Sequence, residues 1–217
     1  MKRLYIVVEG QTEVEFVESL IAPFLQKYEV YSVTPVIIHT SKSGKGGFVN
    51  YVHLKNKVLD LLKSNSKDFV VTTLVDFFRC PQLPSPEKWE SINDHNRRVT
   101  TMEQCIADDI NDTRFISYIQ LHEFEALLFS SNIGFENYFT EEESKKTSTI
   151  IQNFENPEEI NTSPEGAPSK RLLTIRENYD KVLEGNAIAL EIGIETILSK
   201  CPRFNEWIEK LIEACKS

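Results

Sequence analysis

Leu4-Tyr5-Ile6-Val7-Val8 is an unbroken apolar run, rich in β-branched residues, that halts at Glu9-Gly10. A run apolar at every position predicts a strand buried on both faces rather than one half-open to water. Directly after it, Val17, Leu20, Ile21, Phe24 and Leu25 recur at helical spacing. Thr12 followed three residues on by Glu15 has the form of a capping box opening this helix. The predicted order is strand, tight turn, helix.

The alternation continues. A second strand is predicted within Val30 to Ile38, then the loop Ser41-Lys42-Ser43-Gly44-Lys45-Gly46-Gly47, then a helix with Tyr51, Leu54, Val58, Leu61 and Leu62 on one face. Phe69 to Val75 forms a third strand that stops at Asp76, and the Pro-containing stretch Cys80 to Pro86 breaks the pattern. Arg97 to Ile110 returns to helix, and Phe115 to Leu121 makes a fourth strand ending at His122-Glu123. From about Thr140 the strand pattern is gone. Glu155 to Pro168 is polar and carries Pro157, Pro164 and Pro168, as a linker or surface loop does, and helices are predicted around Ser169 to Tyr179, Ala187 to Ser199 and Phe204 to Ala214.

Strands alternating with helices imply βαβ units, hence an α/β fold with a mainly parallel sheet flanked by helices. The expected division is an α/β domain over 1–135 and a helical C-terminal extension over 136–217 packed on it. In such sheets the ligand site lies beyond the carboxyl ends of the strands. Glu9, Asp76 and His122-Glu123 each follow a predicted strand, so acids far apart in sequence are expected to meet at one edge.

Composition narrows the class. The chain has 217 residues, 41% hydrophobic and 26% charged, the profile of a soluble globular protein with one ordinary core. Neither a signal-peptide pattern nor a bilayer-length apolar run is present, and Cys80, Cys105, Cys201 and Cys215 form no C-x-x-C pair. A reducing cytoplasm is the expected compartment. The net charge of -9 argues against a general nucleic-acid coat. It leaves room for a nuclease, because carboxylates that hold metal ions add to the negative count.

Carboxylate oxygens are hard ligands suited to Mg²⁺ or Mn²⁺, and acidic clusters at strand ends support metal-assisted phosphoryl transfer. Glu9 is a candidate ligand or general base, Asp76 a candidate ligand, and Glu13 and Glu123 candidates for the rest of the shell. Each has a plainer explanation. Glu13 and Glu15 lie in a first helical turn, where acids complement the helix dipole, and a single strand-end Asp is as readily a loop cap. His122 is read as a metal ligand or base, or as a satisfied structural group. Glu125 sits in an apolar stripe, Phe124 to Phe129, and can face metal or solvent.

Nucleic-acid contacts are expected from Lys42 and Lys45, although their loop lacks P-loop spacing, and from Lys170 and Arg171 at a helix start. A flexible loop and a solvated helix face are the competing explanations. Arg97-Arg98 carries the same two readings.

Val7-Val8-Glu9-Gly10-Gln11-Thr12-Glu13 resembles the first Toprim motif, found in topoisomerase, primase and overcoming-lysogenization-defect-type nuclease domains. Leu74-Val75-Asp76-Phe77-Phe78, Leu121-His122-Glu123-Phe124-Glu125-Ala126-Leu127-Leu128-Phe129 and Ala167-Pro168-Ser169-Lys170-Arg171 extend the likeness to a narrower bacterial domain-of-unknown-function family, with Cys201-Pro202-Arg203-Phe204 and Trp207 reaching the C-terminus. The general Toprim likeness covers roughly the first 130 residues.

That resemblance implies a Toprim fold in which Glu9 is the Toprim glutamate and Asp76 the first acid of a D-x-D pair. Phe78 stands at the second D-x-D position, where an aromatic ring cannot ligate Mg²⁺. It leaves three arrangements open: Glu123 supplies the missing oxygen, the site takes one metal, or it serves a noncatalytic role. The family is often encoded beside ABC-type ATPases in settings that suggest phage defence. The implied activity is therefore a Mg²⁺-dependent nuclease (a hydrolase) acting on DNA or RNA, the effector of such a system. The alternative is a noncatalytic binding partner of an ABC-type ATPase on a degenerate Toprim scaffold. Primase- or topoisomerase-like strand chemistry is the weakest reading, since no Tyr nucleophile stands out. A homodimer is compatible with the sequence.

Overall fold

The computed structural model describes residues 2–38, 50–76, 82–160 and 166–216. Lys42, Lys45, Phe78 and Cys80 lie outside them. β1 (Arg3–Val8) leads through Glu9-Gly10 into α1 (Gln11–Phe16), which continues through a π-helical stretch (Val17–Ile21) into α2 (Ala22–Gln26). Then come β2 (Val33–Ile37), α3 (Tyr51–Leu62), β3 (Phe69–Asp76), α4 (Pro86–Trp89), α5 (His95–Ile110), β4 (Phe115–Ile116) and β5 (Ile119–Gln120). The rest is helical: α6 (Phe124–Leu128), α7 (Ile133–Tyr138), α8 (Glu141–Gln152), a 3-10 turn (Pro157–Glu159), α9 (Pro168–Ile175), α10 (Leu183–Ile192), α11 (Ile194–Lys200) and α12 (Pro202–Lys216).

The sheet is parallel in every pairing, with order β2-β1-β3-β4 and β5 also beside β3. It is the α/β architecture with a parallel sheet flanked by helices that the strand-helix alternation predicts. Period-two geometry divides the central strands between two cores. Leu4, Ile6 and Val8 of β1 and Val70 and Leu74 of β3 face one core, built with α1, α2, α6, α7 and α9 to α12. Val7, Phe69, Val71 and Val75 face the other, built with α3, α4 and α5. The helices beyond residue 135 share the first core with β1 and β3, and the Trp207 indole N–H of α12 donates to Thr72 Oγ1 of β3 at 2.9 Å.

Three local features differ from the sequence expectation. The fourth strand is not continuous over Phe115 to Leu121. It breaks into β4 and β5 because Thr73 Oγ1 donates to the Tyr118 carbonyl at 2.7 Å and accepts from the Tyr118 N–H at 2.9 Å, so a side chain replaces the ladder there. The first helix opens at Gln11 with Gly10 as N-cap, so Glu13, not Glu15, reaches back to the cap N–H at 3.0 Å. Glu15 instead accepts from the Gln11 side-chain amide. The helix expected over Ala187 to Ser199 is split by Gly193, whose φ of 78° only glycine adopts without strain. Among the described residues no helix is long and apolar enough to cross a membrane.

Candidate acidic site

β1 and β3 are neighbours, with Val8 opposite Leu74, so Glu9 and Asp76 leave the sheet side by side. From β1 the chain goes to β2 at one edge, and from β3 to β4 at the other. Such a divergence opens a crevice at the carboxyl ends of the two strands. Both acids are buried there, Glu9 at 6% and Asp76 at 8% exposure. The Asp76 backbone N–H donates to Glu9 Oε1 at 2.7 Å.

α1 brings Glu13 to the same place. Its Oε2 accepts from the Gly10 N–H at 3.0 Å, a first-turn position where the helix N-terminus favours a negative charge. The fourth strand end delivers His122, at φ 70°, and then α6, with Glu123 as its N-cap. Glu125, in the first turn of α6, is fully buried. Beyond an ion pair with Lys181, neither of its oxygens has a hydrogen-bond partner of ordinary geometry. Glu123 stands beside them, held by the start of α9: its Oε2 accepts from the Ser169 N–H at 3.0 Å.

Lys181, in the turn between α9 and α10, sits among these acids. Its Nζ lies 3.3 Å from Glu125 Oε2 and 3.7 Å from both Glu13 Oε1 and Asp76 Oδ2. The sequence reading did not single it out. No motif marks Lys181, and its place follows from tertiary docking, in which Asn186 of α10 donates to the Thr12 carbonyl of α1 at 3.2 Å.

Burial pushes the Asp76 carboxyl well above the usual range; Lys181 opposes that rise, while Glu9, Glu13 and Glu125 add to it. Burial likewise raises Glu125 against the pull of Lys181. Burial works to lower the Lys181 ammonium, but Asp76, Glu125, Glu13 and Glu123 outweigh it and hold it above its ordinary value. Glu9, Glu13, Asp76 and Glu125 thus set four buried carboxylates beside the Lys181 ammonium. Burial, reinforced by His95, pulls the His122 imidazole down to about 4, so this ring is neutral near pH 7. The two rings stand 6.1 Å apart.

The oxygen donors suit a hard divalent cation. Among the described residues, however, no three His, Cys, Asp or Glu converge closely enough to hold one. Lys181 takes their focus.

The predicted basic contacts are placed otherwise. Lys170 is exposed on α9. Arg171 is committed internally, donating from Nε to the Gly166 carbonyl at 2.7 Å and stacking 5.8 Å over Phe154. Arg98 lies 5.4 Å over the Trp89 ring, a packing role. These side chains do not join the acidic cluster.

The family described as a domain of unknown function, DUF4276, matches residues 8–212. The chain belongs to this family. The match takes in both the strand-end acids and the C-terminal helices of the DUF4276 fold. No curated protein sequence matches the chain. Among solved structures, it is similar to the C-terminal region of the Xanthomonas campestris pv. campestris OLD protein, at 17% identity over 99% of this chain and 92% of that one, with a TM-score of 0.45. It is also similar to the C-terminal region of the Burkholderia pseudomallei OLD protein, at 16% identity over 98% and 99% of the two chains, with a TM-score of 0.43.

Proposed function

We propose that this chain is a metal-dependent, Toprim-like phosphodiesterase that cleaves nucleic acid. The observation that carries the reading is the clustering of Glu9, Glu13, Asp76 and Glu125, all buried, where the connections from β1 and β3 diverge. Burying that many carboxylates is costly unless a cation offsets them, and natural folds retain such clusters where the cation is part of the function.

The ligand chemistry suits a hard divalent ion, although with Lys181 among the acids no three described His, Cys, Asp or Glu side chains converge closely enough to hold one as they stand. The Glu125 oxygens are buried with no partner beyond Lys181, and acidic oxygens are the ligand class that Mg²⁺ and Mn²⁺ take. Drawn together on an ion, Glu9, Glu13, Asp76 and Glu125 would hold it through the oxygens that do not face Lys181, with Glu123 beside them. When bound, such an ion supplies Lewis-acid stabilisation to a phosphoryl group. The chain's own contribution is positional. The Asp76 N–H fixes the Glu9 carboxylate, and the Gly10 N–H fixes Glu13. The likeness of the V-E-G-Q-T-E and H-E-F-E-A-L-L-F segments to the bacterial family extends the reading to an effector in phage defence working with an ABC-type ATPase.

The test is cleavage of single- and double-stranded DNA and RNA with Mg²⁺ or Mn²⁺ by wild type, Glu9→Gln and Asp76→Asn. Metal-dependent cleavage that both substitutions abolish is the expected result. Cleavage left unchanged by both overturns the proposal.

A second reading, a noncatalytic binding partner of an ATPase, is favoured by one observation: the carboxylate focus already contains a protein cation, Lys181. A stable complex with an ABC-type ATPase, indifferent to Glu9→Gln and Asp76→Asn and accompanied by no cleavage, selects it.

A further inference from the structure

Among the described residues, Lys181 pairs with three of the four buried acids of the site, each carried by a different element: Glu13 by α1, Asp76 by β3 and Glu125 by α6. An ammonium is a compact point charge with three donors, which suits a focus of three carboxylates. The turn that carries it is a built structure. Asp180 Oδ1 accepts from the Val182 and Leu183 N–H groups at 2.9 Å each, Glu184 accepts from the Asp180 N–H at 2.9 Å, and Arg176 pairs with Glu184 at 2.8 Å. The ammonium passes 6.0 Å from the Phe124 ring centroid on its way in. Its side chain is 36% exposed, whereas those of Glu13, Asp76 and Glu125 are 7%, 11% and 1% exposed. Lys181 therefore approaches the acids from the solvent side and closes over them.

A Mg²⁺ or Mn²⁺ ion coordinates carboxylate oxygen at about 2.1 Å. An ion bound to the oxygens that face Lys181 would come within about 4 Å of its ammonium, where two cations in a poorly solvated place exclude one another. The same oxygens can hold the lysine or the metal, not both.

We propose that Lys181 is a resident cation of the acidic site, occupying at Glu13, Asp76 and Glu125 a subsite that a divalent ion enters once that ammonium is removed. The inference deepens the metal reading above and rests on its carboxylate set. Its consequence is that the lysine sets how many divalent ions the chain accepts and how tightly.

The experiment is titration of Mn²⁺ alone into full-length wild type, Lys181→Met and Lys181→Met/Glu125→Gln, with stoichiometry read by calorimetry and by electron paramagnetic resonance. Methionine keeps the length of the side chain and deletes its charge. The expected result is one additional Mn²⁺ per chain in Lys181→Met, or at least a tenfold tightening, reversed in the double variant. Equal stoichiometry and affinity in wild type and Lys181→Met overturns the inference, and if both bind Mn²⁺ the metal reading survives it. Binding in Lys181→Met and none in wild type upholds the inference and overturns the metal reading of the native chain. No binding in any protein overturns both. Lys181→Gln serves as the second variant where circular dichroism shows that Lys181→Met has not folded.

Discussion

The Asp76 backbone N–H donates to Glu9 Oε1 at 2.7 Å, so the acid that follows β1 also satisfies the last residue of β3. Structural and electrostatic roles thus share one side chain, and two substitutions separate them. Glu9→Gln keeps an acceptor oxygen and removes one negative charge from a crowded acidic cluster. Glu9→Ala also strands a buried N–H, which costs about 1–3 kcal/mol. Glu9→Gln is expected to melt at or above wild type in metal-free buffer, and Glu9→Ala below Glu9→Gln. Thermal unfolding of the three proteins checks this, and an alanine variant as stable as the glutamine one contradicts the double role.

Thr73 is expected to govern the approach of the fourth strand to the site. Its hydroxyl both donates to and accepts from the Tyr118 backbone, in the gap between β4 and β5. Thr73→Val keeps the shape and leaves two buried backbone groups unpaired, a loss of about 2–6 kcal/mol at about 1–3 kcal/mol for each group. Urea unfolding measures the loss. Faster amide exchange confined to Tyr118 to Glu125 is the expected local signature.

How much of this was legible in the sequence depends on the range of the interaction that decides each feature. β1 and β3 are readable because nearly every side chain in them is apolar or β-branched, and their ends are readable because Glu9 and Asp76 interrupt the runs. The gap between β4 and β5 is not, since it is made by Thr73, which lies 45 residues before Tyr118. Glu15 looks like the acid of a capping box until the helix is seen to open at Gln11, which hands that role to Glu13. Glu125 has two readings in the sequence because an apolar stripe does not say which neighbour lies over it. Lys181 has none, because its meeting with the acids depends on how α10 docks against α1.

The α7 and α10 pairing depends on Gly134, which no periodicity marks. A Cβ added there would stand 2.6 Å from the Ile188 carbonyl oxygen and 2.8 Å from Ile188 Cγ2. The nearest obstacle is backbone, which cannot rotate away, so Gly134→Ala is expected to force the helices apart at a cost of about 1–3 kcal/mol, the usual range for overpacking. Gly193→Ala is the control for backbone strain: its Cβ meets nothing within 4 Å, but its φ is 78°. Comparing the two by urea unfolding, with near-ultraviolet circular dichroism as the packing probe, separates them. Gly134→Ala alone is expected to change the aromatic signal of nearby Phe135 and Phe139.

Glu158 should leave a pH signature unconnected with the acidic site. Its side chain is fully buried and caps α12, with Oε2 accepting from the Arg203 N–H at 2.9 Å and Oε1 from the Phe204 N–H at 3.1 Å. Burial raises its carboxyl from an ordinary value of 4.5 to about 7, against the pull of those N–H bonds and of the Arg203 charge. The folded state therefore holds this proton more tightly than the unfolded chain does. The stabilisation is complete below the unfolded value, declines as pH rises through the interval, and is lost above the folded value. The interval corresponds to roughly 3 kcal/mol, at about 1.4 kcal/mol for each pH unit. Glu158→Gln deletes the titration and weakens the cap at every pH. Because Glu103 and His122 titrate in both proteins, the difference between them isolates Glu158. Wild type is expected to exceed Glu158→Gln by the widest margin near pH 4.5, and the margin should shrink by roughly 3 kcal/mol by pH 8. Urea unfolding at several pH values measures it. A margin independent of pH would mean that Glu158 titrates normally and that its two N–H bonds fully compensate its burial.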